Sequence, residues 1–422
     1  MTRPYEFDQN ASGGADANEF EQMPLLTKDQ FGKAVVDRIT KGGEKSHLTY
    51  DSDSFCLVSD DVVGFYLTGA YKDFQHAQPN RRAAVIEHSV CTWFSLYQTI
   101  PDEFADAAPN LLPRIYNRIS IEYETWFKRG ITNATSSPSW NQVFGEHFAT
   151  RLVYDFPTSV RDIDLAQLAA WKQTPEEAYT VALNNLAVRS QQAFERVAPG
   201  VLRGTWNDDY DASRLLLPDV IRKGQVKGDP VIMVPNHGSL LLTGTNDLKG
   251  LSYFAEIGND LINRFEPLSG IALRLIGTEW SPYLPDRRHP AHKALDLLRK
   301  NTIARFHRWQ QDQLAILHET RNEHRFVATL FFMKNLKAKT SFSVCAWQSH
   351  FTDTLLPKAD AILFAIQHAS KEEEFLALCP WDKVVNICGD LMLPQGMYPE
   401  LIRVTQFPSE KQLAELKNYD IS

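Results

Sequence analysis

Trp206-Asn207-Asp208-Asp209-Tyr210-Asp211-Ala212-Ser213-Arg214-Leu215-Leu216-Leu217 is the most idiosyncratic stretch of the chain, and regular elements lead into and out of it. Residues 201–206 form a short apolar run suited to a strand. Asn207, Asp208 and Asp209 supply turn chemistry, because such side chains bond their own backbone and tolerate unusual dihedrals. A helix is expected next, capped by Asp208 or Asp209, with negative charge favoured at its start. It carries Leu215, Leu216 and Val220 and stops before Gly224. On such a helix Tyr210 and Arg214 share a face, and Asp211 and Arg214 lie close enough to pair. Tyr210, Asp211, Ser213 and Arg214 therefore form a candidate polar site at a strand-to-helix corner. The competing reading is a cap with a local salt bridge.

Outward from this corner, helices and strands are mixed. Upstream, Thr27 caps a helix over 27–39 with Phe31, Val35, Val36 and Ile39 as its stripe. Strands follow at 48–50 and 55–58, with an apolar run at 62–67. A helix is expected over 81–97, with Val85, His88, Cys91, Trp93, Leu96 and Tyr97 largely buried. Residues 101–113 read as loop, 114–123 as a strand through Ile115, Ile119 and Ile121, 132–139 as a Ser/Thr-rich loop, and 146–156 as a strand. Thr174-Pro175-Glu176-Glu177 is a strong helix start, with cap, proline and capping glutamate in place. Downstream, strands at 231–234 and 239–243 flank the turn Pro235-Asn236-His237-Gly238, a helix spans 248–265, and a strand spans 270–276. Adjacent strand pairs among helices predict the α+β class, with mixed sheets and packed helices.

Several of these pieces, taken in order, resemble one family. Glu146-His147-Phe148-Ala149-Thr150-Arg151-Leu152-Val153-Tyr154, the T-P-E-E-A helix with A-L-N-N-L, the Tyr210–Arg214 piece and the strand near Val234 are similar to the bacterial domain of unknown function family numbered 1444. The resemblance covers roughly residues 27–277, and Tyr210 to Arg214 is its distinctive part. It implies a bacterial protein and carries over no activity and no catalytic residues. The polar leader and everything after about residue 281 depart from the family's simple members.

That last third opens with an uninterrupted helical pattern over 290–320, with Leu295, Leu298, Phe306, Trp309 and Leu317 near helical spacing. Its first half is basic, and Arg299, Lys300, Arg305 and Arg308 make a candidate basic face for nucleic acid or an acidic partner, unless they are simply solvated. Strands at 326–332, 341–347, 361–366 and 401–404 and a last helix from Ser409 complete a C-terminal module. The expected organisation is a disordered tail at 1–24, an α+β domain at 25–283, a helical connector at 284–322 and a smaller α+β module at 323–422.

The chain contains no G-x-G-x-x-G, no G-x-x-x-x-G-K-[ST] and no G-x-S-x-G. His318 and His324 are six apart, where one helical face needs four for a zinc site. His289 and His292, near Asp286 and Asp296, form at most a weak ligand group. The turn residues His237 and Ser239 have no assignable orienting carboxylate, and read as a hairpin tip. Lys358 and Asp360 read as a loop ending in a paired surface charge. Trp347, Phe351, Phe364, Cys379 and Trp381 line either an apolar pocket or the module's core. No metal and no cofactor is expected.

With 422 residues the chain is long enough for two domains, and its net charge of −8 argues against a general nucleic-acid binder. No apolar run approaches the roughly 20 residues of a membrane span. The first residues lack a signal-peptide pattern, and five scattered cysteines suit reduced thiols in a cytoplasm. The expected function is binding, with a protein as partner. The alternative is a hydrolase or transferase acting on a small polar substrate at the Tyr210–Arg214 corner, and the basic helix offers a weaker nucleic-acid reading.

Overall fold

The computed structural model describes residues 23–43, 47–60, 63–131, 139–157, 159–192, 194–263, 267–323, 325–335, 340–367 and 373–421. The expected tail at 1–24 and the loop at 132–139 therefore lie, but for residues 23–24 and 139, outside the described residues, as does His324. The chain is α+β and divides into two compact units, Met1–Asp102 with Tyr154–Arg161, and Glu103–Val153 with Asp162–Ser422. The divisions expected after residues 283 and 322 both fall within the second unit.

In the first unit the helix Lys28–Lys41 begins with a capping box, Thr27 accepting from Gln30 N while the Gln30 side chain returns to the Thr27 backbone. The strands Thr49–Asp51, Cys56–Val58 and Val63–Tyr66 form an antiparallel sheet. The helices Thr68–His76 and Arg82–Ser95 complete a core of Phe31, Val35, Leu57, Phe74 and Trp93. The Arg82–Ser95 helix buries Ile86, Ser89, Val90 and Trp93. His88, Leu96 and Tyr97, expected inside, are exposed: His88 lies off that face, and the other two come after the helix has ended.

The second unit centres on a six-stranded antiparallel sheet. Its order is Glu279–Pro282, Leu273–Ile276, Pro230–Asn236, Ser239–Gly244, Val201–Arg203, Glu195–Ala198. Both faces are covered, which explains the unbroken apolar runs of its central hairpin. Val231, Met233 and Leu241 face the helix Leu248–Ile262 and the first half of the long helix His292–Thr320. Ile232, Val234, Leu240 and Leu242 face the opposite way, onto Ile115, Phe148, Ala212, Leu215 and Ile221.

A smaller sheet has the order Leu111–Asn117, Phe148–Asp155, Asn141–Phe144. The strand expected over 114–123 is corrected here: it runs Leu111–Asn117 and gives way to the helix Arg118–Ile131. Arg118 N donates to His147 O, and the Arg118–Glu122 pair (2.6 Å) braces the first helical turn. Tertiary contacts thus override the strand preference of Ile119 and Ile121.

The C-terminal segment holds a mixed sheet, Phe331–Asn335, Thr340–Gln348, Ala361–Gln367 and Glu373–Pro380, around Cys345, Trp347, Phe364 and Cys379. Leu314 and Leu317 of the long helix pack on a second small sheet through Val327, Leu355 and Leu401. Among the described residues no helix is long and apolar enough to cross a membrane.

Candidate functional site

The strand Val201–Arg203 leaves the central sheet into the corner. Asn207 and Asp209 adopt positive φ (50° and 59°), which short polar side chains tolerate. Asp208 Oδ1 accepts from Tyr210 N at 3.1 Å and closes the turn. The single helix expected here does not form. Ala212–Leu216 is a 3-10 turn without a side-chain cap, and Pro218–Arg222 is a separate short α-helix. Pro218 has no N–H to give and keeps Leu217 out of the helical conformation (φ −120°, ψ 74°), which separates the two.

Each residue of the candidate polar site faces inward. Arg214 is 0 % exposed. Its Nη1 and Nη2 donate to Asp208 Oδ1 (2.5 Å) and Oδ2 (2.7 Å), Nε to Ser190 Oγ (3.0 Å) and Nη2 also to Arg189 O (3.3 Å). The guanidinium also lies 4.6 Å from the centroid of the Trp206 ring. Its partner is thus Asp208, not the Asp211 expected from helical spacing. Arg189 and Ser190 follow directly on the helix Pro175–Val188, so Arg214 places a cation at that helix's negative end. Ser213 Oγ accepts Ile115 N (3.2 Å) from the strand Leu111–Asn117, and Ala212 N donates to His237 O (3.0 Å) in the hairpin turn. Trp280 Nε1 donates to Leu215 O at 2.9 Å. Four elements of the second unit meet on this one short segment.

The electrostatics divide the two aspartates. Burial alone would raise Asp208, but its bonds to Arg214 and that residue's charge win and hold its carboxyl low. Asp211 is 1 % exposed and its Oδ2 has no hydrogen-bond partner; burial pushes its pKa up to about 6. The Tyr210 ring is buried, with the Arg114 guanidinium 5.6 Å from its centroid. Burial first, and then Arg114, push His237 down to about 3, so its imidazole is neutral beside the Tyr116 ring (5.6 Å). Asp208, expected as a cap, is instead the partner of Arg214. Ser190, Arg114 and Tyr116 were not legible as parts of this arrangement, because nothing local in the chain marks partners so distant.

The four basic-helix residues do not share one face. At about 100° per residue, Lys300 and Arg305 stand roughly 140° apart. Arg299 and Lys300 both bond Asp296, and Lys300 is buried with Nζ donating to Ser341 O (3.0 Å). Arg305 is half-buried and Arg308 exposed. The helix's solvent stripe carries Lys293, Leu297, Asn301, Arg308 and Ile316.

Among the described residues no group of three potential metal ligands comes together. His289 Nδ1 accepts from Ala291 N (3.0 Å) and His292 Nδ1 meets Pro285 O (2.7 Å), both within the turn before the long helix. Lys358 pairs with Glu400 (2.9 Å), while Asp360 accepts from Ser343 N (2.7 Å), so these two do not pair with each other. Trp347, Phe364 and Cys379 belong to the C-terminal core, and Phe351 stacks on Phe326 at 3.8 Å. No protein-family model matches the chain, and no curated protein or solved structure matches it either.

Proposed function

We propose that the protein acts by binding, with another protein as its partner, rather than by catalysis. The observation that carries this reading is the fate of Arg214, whose guanidinium is fully buried and bonded to Asp208, Ser190 and the Arg189 carbonyl. A substrate anion would have to displace Asp208 from it. The contact surface is the solvent stripe of the long helix, where Leu297 (57 % exposed) and Ile316 (48 %) flank Arg308. At about 1.5 Å per residue these two apolar side chains stand roughly 28 Å apart, a span suited to a protein surface. Membership of the bacterial family numbered 1444 rests on the residues quoted above. Five free cysteines, four of them buried, fit a reducing bacterial cytoplasm.

One observation favours a second reading, a hydrolase or transferase at the corner. Asp211 holds a proton to about pH 6 and has an unbonded oxygen, the attributes of a general acid. Native mass spectrometry of gently purified protein separates the two. A protein that accompanies the wild type and is lost from the Leu297→Asp, Arg308→Glu variant supports binding through the helix. Retention by that variant rejects this surface. A small molecule lost only from Asp211→Asn supports the enzyme.

A further inference from the structure

At one end of the central sheet a cleft of about 270 Å³ opens among three separate segments. Arg196 reaches it from the edge strand Glu195–Ala198, Lys227 from the turn before the hairpin, and Lys249 from the first turn of the helix Leu248–Ile262. Close packing holds the Lys227 turn in place, since a Cβ on Gly244 would stand 2.1 Å from Lys227 O. Asn246 N and Thr245 N donate to Lys227 O and Asp229 O, each at 3.0 Å.

The charge at this cleft runs against that of the whole chain. Asp247 is its one carboxylate, and that carboxylate is already engaged: Oδ1 accepts Gly250 N (2.9 Å) and Oδ2 lies 3.2 Å from Lys227 Nζ. Those bonds hold Asp247 below its usual range, the Gly250 N–H first and Lys227 after it. Asp247 thus serves the Gly250 N–H of the helix's first turn, and the positive charge at the cleft belongs to the side chains. Neither Arg196 nor Lys249 makes an ion pair among the described residues. Three cations against one carboxylate leave a local excess of +2 in a chain of net charge −8. Cations converging from three elements on a concavity focus the field on whatever anion enters. The volume is below the usual span for drug-sized ligands, so the guest is small. Leu202 and Val226 supply an apolar wall beside the charges.

We propose that this cleft binds a small organic phosphate monoester, its phosphoryl group held by Arg196, Lys227 and Lys249 and its carbon body lying on Leu202 and Val226. The site is independent of the helix stripe, so either proposal can fail without the other. The test is isothermal titration of the full chain at low ionic strength with glycerol 3-phosphate, inorganic phosphate and glycerol. Saturable one-to-one binding of glycerol 3-phosphate is expected, about tenfold tighter than inorganic phosphate, with no heat from glycerol. Arg196→Gln with Lys249→Gln should weaken it about tenfold while the ligand-free melting temperature stays put, since both side chains are exposed. Leu297→Asp with Arg308→Glu should leave it unchanged. No saturable binding, equal affinity for inorganic phosphate, or wild-type affinity in the Arg196, Lys249 variant would each overturn the proposal.

Discussion

Asp211 keeps a carboxyl group 1 % exposed with one oxygen unbonded, and its pKa is pushed up to about 6 from an ordinary 3.8. The native state therefore takes up a proton that the unfolded chain still lacks between pH 6 and 4. Ionised Asp211 destabilises the fold above pH 6, and that penalty fades as pH falls towards 4. Asp211→Asn should accordingly stabilise the protein at pH 8 by about 2–3 kcal/mol, and by much less near pH 4. Denaturation midpoints at the two pH values check this; a pH-independent difference would reject it. His237 works in the opposite sense. Its pKa of about 3 means that the native state refuses a proton the unfolded chain accepts, so its contribution is full above 6.5 and lost as pH falls towards 3. His237→Gln should flatten the acid limb of the stability curve, and an unchanged limb would contradict the assignment. Arg214 is the costliest residue of the corner to alter. Arg214→Met leaves Asp208 without its counter-charge and should cost about 3–5 kcal/mol. Arg214→Lys should recover little, because an ammonium cannot reproduce the two-point fork on Asp208.

Among elements, those bounded by local chemistry were legible and those bounded by neighbours were not. Thr27, Thr174 and Ser409 each start a helix with a capping box, and all three starts are readable from a few residues. The hairpin around Pro235–Gly238 is likewise written in its turn and flanking apolar runs. By contrast, the helix Arg118–Ile131 looked like a strand because Ile115, Ile119 and Ile121 suit either period, and its start is settled by His147 O across the sheet. The strands Thr354–Pro357 and Glu373–Pro380 are likewise fixed by the partners they pair with. Two variants separate the kinds of support. Thr174→Ala removes only a cap and should cost about 1 kcal/mol. Gly258→Ala puts a Cβ 2.5 Å from Met233 Sδ in the core beneath the helix Leu248–Ile262, and should cost about 1–3 kcal/mol. No loss from Gly258→Ala in thermal unfolding would mean that the helix does not rest on Met233 as described.

Across the whole molecule, a net charge of −8 repels a nucleic-acid backbone, and the internal pairing of Arg299 and Lys300 with Asp296 takes two of the four cations expected to meet it on the long helix. Fluorescence anisotropy with duplex DNA at about 0.15 M salt should show no saturable binding, whereas affinity that falls steeply with salt would restore that reading. The sequence by itself determined the α+β class, the capped helices, the central hairpin and the long helix, because caps, turns and apolar periodicity act within a few residues. It also singled out Tyr210–Arg214 as unusual. Only the tertiary structure decided what that segment does in the fold, joining Ile115, Arg189, Ser190, His237 and Trp280 to one short turn. It alone also brought Arg196, Lys227 and Lys249 to a common cleft. The physical reason is the same in both cases: apart from Asp208, the groups that meet the buried guanidinium, like the cations of the cleft, come from segments tens of residues apart, and chain spacing carries no record of them.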